Sequence, residues 1–258
     1  MDELAQLRLI SAASDSLSHL RFLVKREEPE VLALVQRRGS TGLPHYLTSR
    51  LGVLPEERWA DAVYVLPESL MAELLPRCRE LDPPAYVEAS LEAAGRALRR
   101  LHPAPLPTGL RELAEAVSPE GDLPAAWATW PRSGDSHRDA IRDAMVLREE
   151  RAYGHYRAAR EQGLSPLQLL VLSARWRGQR MDAVSPNYPW SPGEIEEATD
   201  GLRERGWANA GAGLTEAGIV AREAIEQATN RFALESLRKL PELQRERAVA
   251  SLSGLVSL

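Results

Sequence analysis

The stretch IRDAMVLREERAYGHYRAA, residues 141–159, constrains the fold more than any other part of the chain. At about 100° per residue, Ile141, Ala144, Met145, Ala152 and Ala159 share one face, while Asp143, Glu150, Arg157 and Glu161 share the opposite one. This is an amphipathic helix with a defined inside. Arg148 and His155 lie two turns apart in the middle of that inside stripe. An inward cation must meet a carboxylate, a carbonyl, water or a ligand, because burying it alone is costly. The helix therefore predicts a polar pocket or a buried ion-pair network beside it.

At 258 residues the chain is long enough for one large or two small cores. A hydrophobic fraction of 44% with 27% charged residues fits a globular protein rather than a disordered one. No apolar run approaches the ~20 residues needed to span a bilayer, and MDELAQLRLI lacks a signal-peptide pattern, so a cytoplasmic protein is expected. The single Cys78 excludes an internal disulfide and a cysteine-rich zinc site; its helical spacing with Leu70, Leu74 and Leu81 predicts a buried structural thiol. Lys25 and Lys239 are the only lysines among 32 basic residues, a bias that fits a GC-rich genome such as an actinobacterium's. The net charge of −5 comes with no basic tail or cluster that would mark a nucleic-acid face.

Periodicity and punctuation predict a mainly α protein in four parts. Residues 1–102 form a helical N-terminal half, with a first helix over 3–26, a second piece over Glu27 to Arg38 stopped by Gly39 to Gly42, and four further helices. Residues 103–135, interrupted by Pro103, Pro105, Pro107, Pro119, Pro124 and Pro131, read as a connecting strap carrying Trp127 and Trp130, with one brief helix near Leu110 to Val117. Residues 136–240 form a winged-helix-like half. There Ser165 and Ser191 serve as N-caps, each followed by proline, and WANAGAGL supplies a very short β-wing. Asn187, Tyr188 and Trp190 belong to an irregular stretch between the two capped helices. Residues 241–258 form a helical tail whose apolar end could dock on a partner subunit, giving a homodimer.

The order GLSPLQLLVLSAR, then a helix ending in LRERGW, a short turn, and LTEAG opening a long helix resembles the winged helix of MarR-type proteins. VLREERAYGHYRAAREQGL, GLTEAG and AIEQATNRF, together with the N-terminal YLTSRLG and VLPESLMAELLP, are similar to the SalK-like helix-turn-helix family of actinobacteria. That resemblance implies a fold and a natural-product setting rather than a defined activity. It places the family's characteristic motif on Arg148, Glu149, Arg151, Gly154 and His155, and the tyrosine and arginine of its first half on Tyr46 and Arg50. The family usually shows a histidine where Glu150 stands, a glycine and an aspartate where Ala152 and Tyr153 stand, and an aspartate at Asn230, so a shared chemistry could be altered here.

Two functions compete. A winged-helix transcriptional regulator would place the 192–205 helix in the major groove, which requires Arg, Lys, Asn or Gln on its outer face. That face carries Glu194, Glu197, Asp200 and Glu204 instead, each opposing the phosphate attraction that dominates nucleic-acid affinity, and the wing has no cation. DNA contact through this helix is therefore disfavoured. The other reading is recognition or transformation of a small acidic or polar organic molecule between the two halves. Arg148, Glu149 and His155 are its candidate catalytic residues, and Tyr46, Arg50, Arg151 and His19 its candidate ligand-binding ones. An arginine fork suits a carboxylate or phosphate, and a histidine can move a proton near neutral pH. His19 is four residues after Asp15, whose carboxylate could hold its imidazole. No metal is expected: His19, His45, His102, His137 and His155 include no i, i+4 pair and no HExxH. A haem held by one axial histidine remains an alternative, with the cofactor undefined. Walker, GxGxxG and GxSxG motifs are absent.

Overall fold

The computed structural model describes residues 1–23, 43–181, 190–211 and 213–256. The expected helical piece over Glu27 to Arg38 and its glycine stop, together with Asn187 and Tyr188, lie outside the described residues. Among those described there are twelve α-helices: α1 (Glu3–Leu23), α2 (Leu43–Leu51), α3 (Trp59–Ala62), α4 (Glu68–Arg79), α5 (Pro83–Leu101), α6 (Gly109–Ala116), α7 (Asp122–Thr129), α8 (Ser136–Glu161), α9 (Pro166–Trp176), α10 (Pro192–Glu204), α11 (Glu216–Leu237) and α12 (Glu242–Ala250). They divide between two compact units. Unit 1 comprises Met1–Ala62, Leu74–Tyr153 and Phe232–Leu258; unit 2 comprises Val63–Glu73 and Gly154–Arg231. None of the described helices is long and apolar enough to cross a membrane.

In unit 1, α1 and α2 both pack on α5, and α6 and α1 both pack on α12. Leu17, Leu47, Trp59, Leu81, Tyr86, Leu91, Leu98, Trp127 and Ile141 are among its buried side chains. Gly95 of α5 lets α8 approach closely, because a Cβ there would lie 3.0 Å from the backbone of Arg138. Cys78 is buried with its Sγ 3.7 Å from the Pro44 carbonyl, and burial raises its pKa, as suits a structural thiol. The expected strap contains a second helix, α7, because Pro124 falls in the first turn, where a missing N–H costs nothing. Trp127 on that helix is fully buried rather than laid on the surface. In the tail, Val249, Leu252 and Leu255 are buried, and α1 packs on both α12 and the short 3₁₀ turn Ser253–Leu255 that follows it.

The amphipathic reading of residues 141–159 needs one correction. Asp143 and Glu150, assigned to the outer face, are as buried as Ile141 and Met145, and so are Arg142 and Glu149. Over residues 141–150 α8 is surrounded rather than laid on one surface, so its polar residues find partners inside, whereas Arg157 is exposed as expected. Asp143, for example, accepts from Arg132 and Arg142, each at 2.8 Å.

In unit 2, α9 packs against α10, and each begins with a complete capping box. Ser165 accepts from the Gln168 amide while Gln168 returns a bond to the Ser165 amide; Ser191 and Glu194 do the same. Pro166 and Pro192 take the first turn of each helix. The core joins Leu164, Leu169, Val171, Leu172, Ala198, Leu202 and Ile225 with Tyr64, whose hydroxyl donates to the Leu164 carbonyl at 2.6 Å. The expected β-wing is corrected to a single antiparallel bridge, Ala208 to Leu214, and no strand occurs among the described residues. Backbone bonds from Asn209 to the Gly213 carbonyl and from Thr215 to the Trp207 carbonyl join the two sides, and side chains reinforce them: Arg175 donates to the Gly211 and Gly213 carbonyls, and Asn209 Oδ1 accepts from the Gly213 amide.

Candidate functional site

The polar residues of unit 1 converge where α1, α2 and α8 meet around Glu149. The i, i+4 spacing on α2 puts Tyr46 and Arg50 on one face, and α8 presents Arg148 and Glu149. Arg50 grips Glu149 in a two-pronged pair, Nε to Oε1 at 2.9 Å and Nη2 to Oε2 at 2.7 Å, with both side chains buried. Arg148 donates to the same Glu149 Oε1 through Nη1 at 2.6 Å, and its Nε lies 3.6 Å from the exposed Asp15 carboxylate. The Arg148 side chain as a whole retains 21% exposure, while its Nε is buried.

The electrostatics follow from that geometry. Burial alone would push the Glu149 carboxyl up, but Arg50 and Arg148 hold it below its ordinary value. Burial likewise opposes ionisation of Tyr46, yet the same two guanidiniums outweigh it and lower the phenol's pKa, with Arg148 also hydrogen-bonded to it. Arg148 itself is raised: burial disfavours its charge, and Glu149 more than compensates.

Sequence reasoning did not single out Arg21, which α1 delivers to this cluster. It is fully buried, with its guanidinium 4.8 Å from the centre of the Trp127 ring. Burial pushes its pKa down to about 9, against a restoring pull from Glu149. The signal was present in the pattern, since Arg21 follows Leu17 by one helical turn and so faces inward. Next to it, Tyr86 shares a 2.9 Å hydrogen bond with His45 Nδ1, and Trp127 donates to the Arg50 carbonyl at 3.1 Å. Among the described residues the cluster thus brings three guanidiniums to one buried carboxylate.

The other expected residues are placed as follows. Arg151 is half-buried on the unit 1 part of α8. His19 is exposed, and its Nδ1 meets the Asp15 backbone carbonyl at 2.5 Å rather than the Asp15 carboxylate. His155 belongs to unit 2, whereas Arg148 belongs to unit 1. There His155 Nδ1 lies 3.1 Å from Thr229 Oγ1, and that hydroxyl donates its one proton to the Ile225 carbonyl at 2.8 Å. With its proton so placed, Thr229 accepts from the ring when Nδ1 is protonated. No group of three or more His, Cys, Asp or Glu side chains suited to a metal occurs among the described residues.

On α10 the exposed side chains include Glu194, Glu196, Glu197, Asp200 and Glu204. The helix's only cation within its bounds, Arg203, is committed to Glu196 at 2.8 Å and Asp200 at 2.7 Å.

Comparison with known proteins finds one family, described as a helix-turn-helix family, whose sequence profile matches residues 15–257. No curated protein and no solved structure matches the chain.

Proposed function

The chain belongs to this helix-turn-helix family, and on that premise we propose that it recognises a small molecule through an acidic group, a carboxylate or a phosphate, at the Arg50–Glu149–Arg148–Tyr46 cluster. One observation carries this reading: Glu149 serves two guanidiniums, Arg50 occupies both of its oxygens, and Arg148 shares only one of them, with its side chain still 21% exposed. A partly satisfied arginine at the edge of a buried cluster is suited to a bidentate oxyanion, with the Tyr46 phenol beside it. The test compares the wild type with Arg148→Ala in sulfate, phosphate and citrate at matched ionic strength. The wild type's thermal midpoint rises with at least one of these anions. The variant still folds, because Arg50 keeps Glu149, and it loses the rise. An equal rise in both proteins, or none in either, overturns the reading.

A second reading, transcription regulation, is favoured by the capped α9–α10 pair and by the family match. In it, the acidic α10 is not the groove-reading surface, and a small-molecule site in unit 1 would serve as the sensor. The SalK-like subtype belongs to the same reading, supported by the residues around Arg148 and His155. A gel shift at low salt with random-sequence duplex tests it; absence of retardation with and without the anions above removes it.

A further inference from the structure

A pocket of about 480 Å³ opens between the start of α6 and α12, within unit 1, and shares no residue with the Arg50–Glu149–Arg148 cluster. Its size suits a small organic molecule. The two walls touch at Gly109, which lies so close to Ala248 and Ser251 that a Cβ on it would collide with both. The helices therefore cannot close further at this point, and the opening beside the contact is a fixed feature of their packing. Apolar surface comes from Pro107 and Pro241, and from Leu243, which is 61% exposed.

Two opposite charges line the same pocket. Glu112 of α6 accepts from the Thr108 hydroxyl at 2.8 Å and from the Gln244 side-chain amide at 3.1 Å. Both donors are neutral, so they hold the carboxylate in place and keep its pKa below the ordinary value without cancelling its charge. Arg247 stands three residues after Gln244 on α12 and is exposed. Among the described residues neither Glu112 nor Arg247 has an ion-pair partner, and they do not pair with one another. Other charges of this region are committed: Arg245 is bonded to Gln6 and lies 3.6 Å from Glu3, and Glu246 meets the Met1 amine. A carboxylate and a guanidinium that share a cavity without pairing suit a ligand that carries both complementary charges.

We propose that this pocket binds a small zwitterion of the α-amino-acid class: the ligand's carboxylate meets Arg247, its ammonium meets Glu112, and an apolar side chain lies on Leu243 and the two prolines. The guanidinium fork matches a carboxylate, and Glu112 keeps lone pairs beyond those used by Thr108 and Gln244, enough for an ammonium. A simple anion or cation would satisfy only one of the two. The site is independent of the oxyanion reading of the Arg148 cluster, and neither needs the other.

Free L-leucine and L-phenylalanine are the probes, with the N-acetyl and carboxamide forms of each as controls that lack one charge. Amide chemical-shift titration of the full chain at neutral pH should show saturable binding of at least one amino acid. Removing either charge from it should weaken binding roughly tenfold, the value of one charge-assisted hydrogen bond. Two substitutions assign the charges. Arg247→Gln should abolish the preference for the amino acid over its carboxamide and keep the preference over the N-acetyl form; Glu112→Gln should do the reverse. Arg148→Ala should bind as the wild type does. Absence of binding by both amino acids overturns the proposal. Equal affinities for an amino acid and its blocked forms overturn it too, by marking a purely apolar groove, as does a charge preference that survives both substitutions or vanishes with Arg148→Ala, by placing the binding elsewhere.

Discussion

Arg50 and Glu149, 99 residues apart in the chain, are joined by two hydrogen bonds of 2.9 and 2.7 Å inside unit 1. Removing one member of a buried pair costs about 3–5 kcal/mol where the other charge is left uncompensated, and the lower end applies to Arg50 because Arg148 still donates to Glu149. Arg50→Ala should therefore lower unfolding free energy by that order in urea denaturation. The double variant Arg50→Ala with Glu149→Ala should lose less than the sum of the two single changes. Equal additive losses would mean that the pair is not energetically coupled.

The same carboxylate predicts a pH dependence. Its folded pKa lies below its ordinary value of 4.5, so the stability it contributes is present above that value and is lost as pH falls through the lower folded one. Urea midpoints from pH 7 down to 3 should fall, and Glu149→Gln should flatten this acid limb while starting from a lower stability.

Gly95 lies at a close approach of α5 to α8. A methyl group there would lie 3.0 Å from the Arg138 backbone, which cannot give way as a flexible side chain would. Gly95→Ala should destabilise by about 1–3 kcal/mol through overpacking, despite alanine's better helix propensity. A neutral or stabilising effect in thermal denaturation would contradict the tight approach.

The capping boxes of α9 and α10 carry a testable local energy. Ser165→Ala and Ser191→Ala should each cost about 1 kcal/mol. Hydrogen exchange should show faster opening confined to the first turns of the altered helix in unit 2, with unit 1 amides unaffected.

For His155, the Thr229 hydroxyl predicts a tautomer. Nitrogen NMR of the wild type should report Nδ1 protonated in the neutral ring, and Thr229→Val should remove that preference. A wild-type ring protonated at Nε2 would refute this direction of the bond.

Much of the helical framework was legible in the chain because its signals are local. Ser165-Pro166 and Ser191-Pro192 mark helix starts by hydrogen bonds that close within three residues. The spacing of Tyr46 and Arg50 gives a shared face with no reference to the rest of the molecule. The inward position of Arg148 was readable for the same reason. What surrounds each helix was not, since that depends on contacts distant in sequence. One-sided periodicity put Asp143 and Glu150 on the outside, and only the packing of unit 1 around α8 buries them. The partner of Arg50 lies on another helix, Arg21 enters the cluster from α1, and Arg148 and His155 share a helical stripe yet fall in different units. The sequence by itself determined which residues form helices and which carry charge toward an interior. Tertiary structure decided which charges meet there, because electrostatic environment depends on distance through space and on exclusion of water, and neither is encoded by neighbours along the chain.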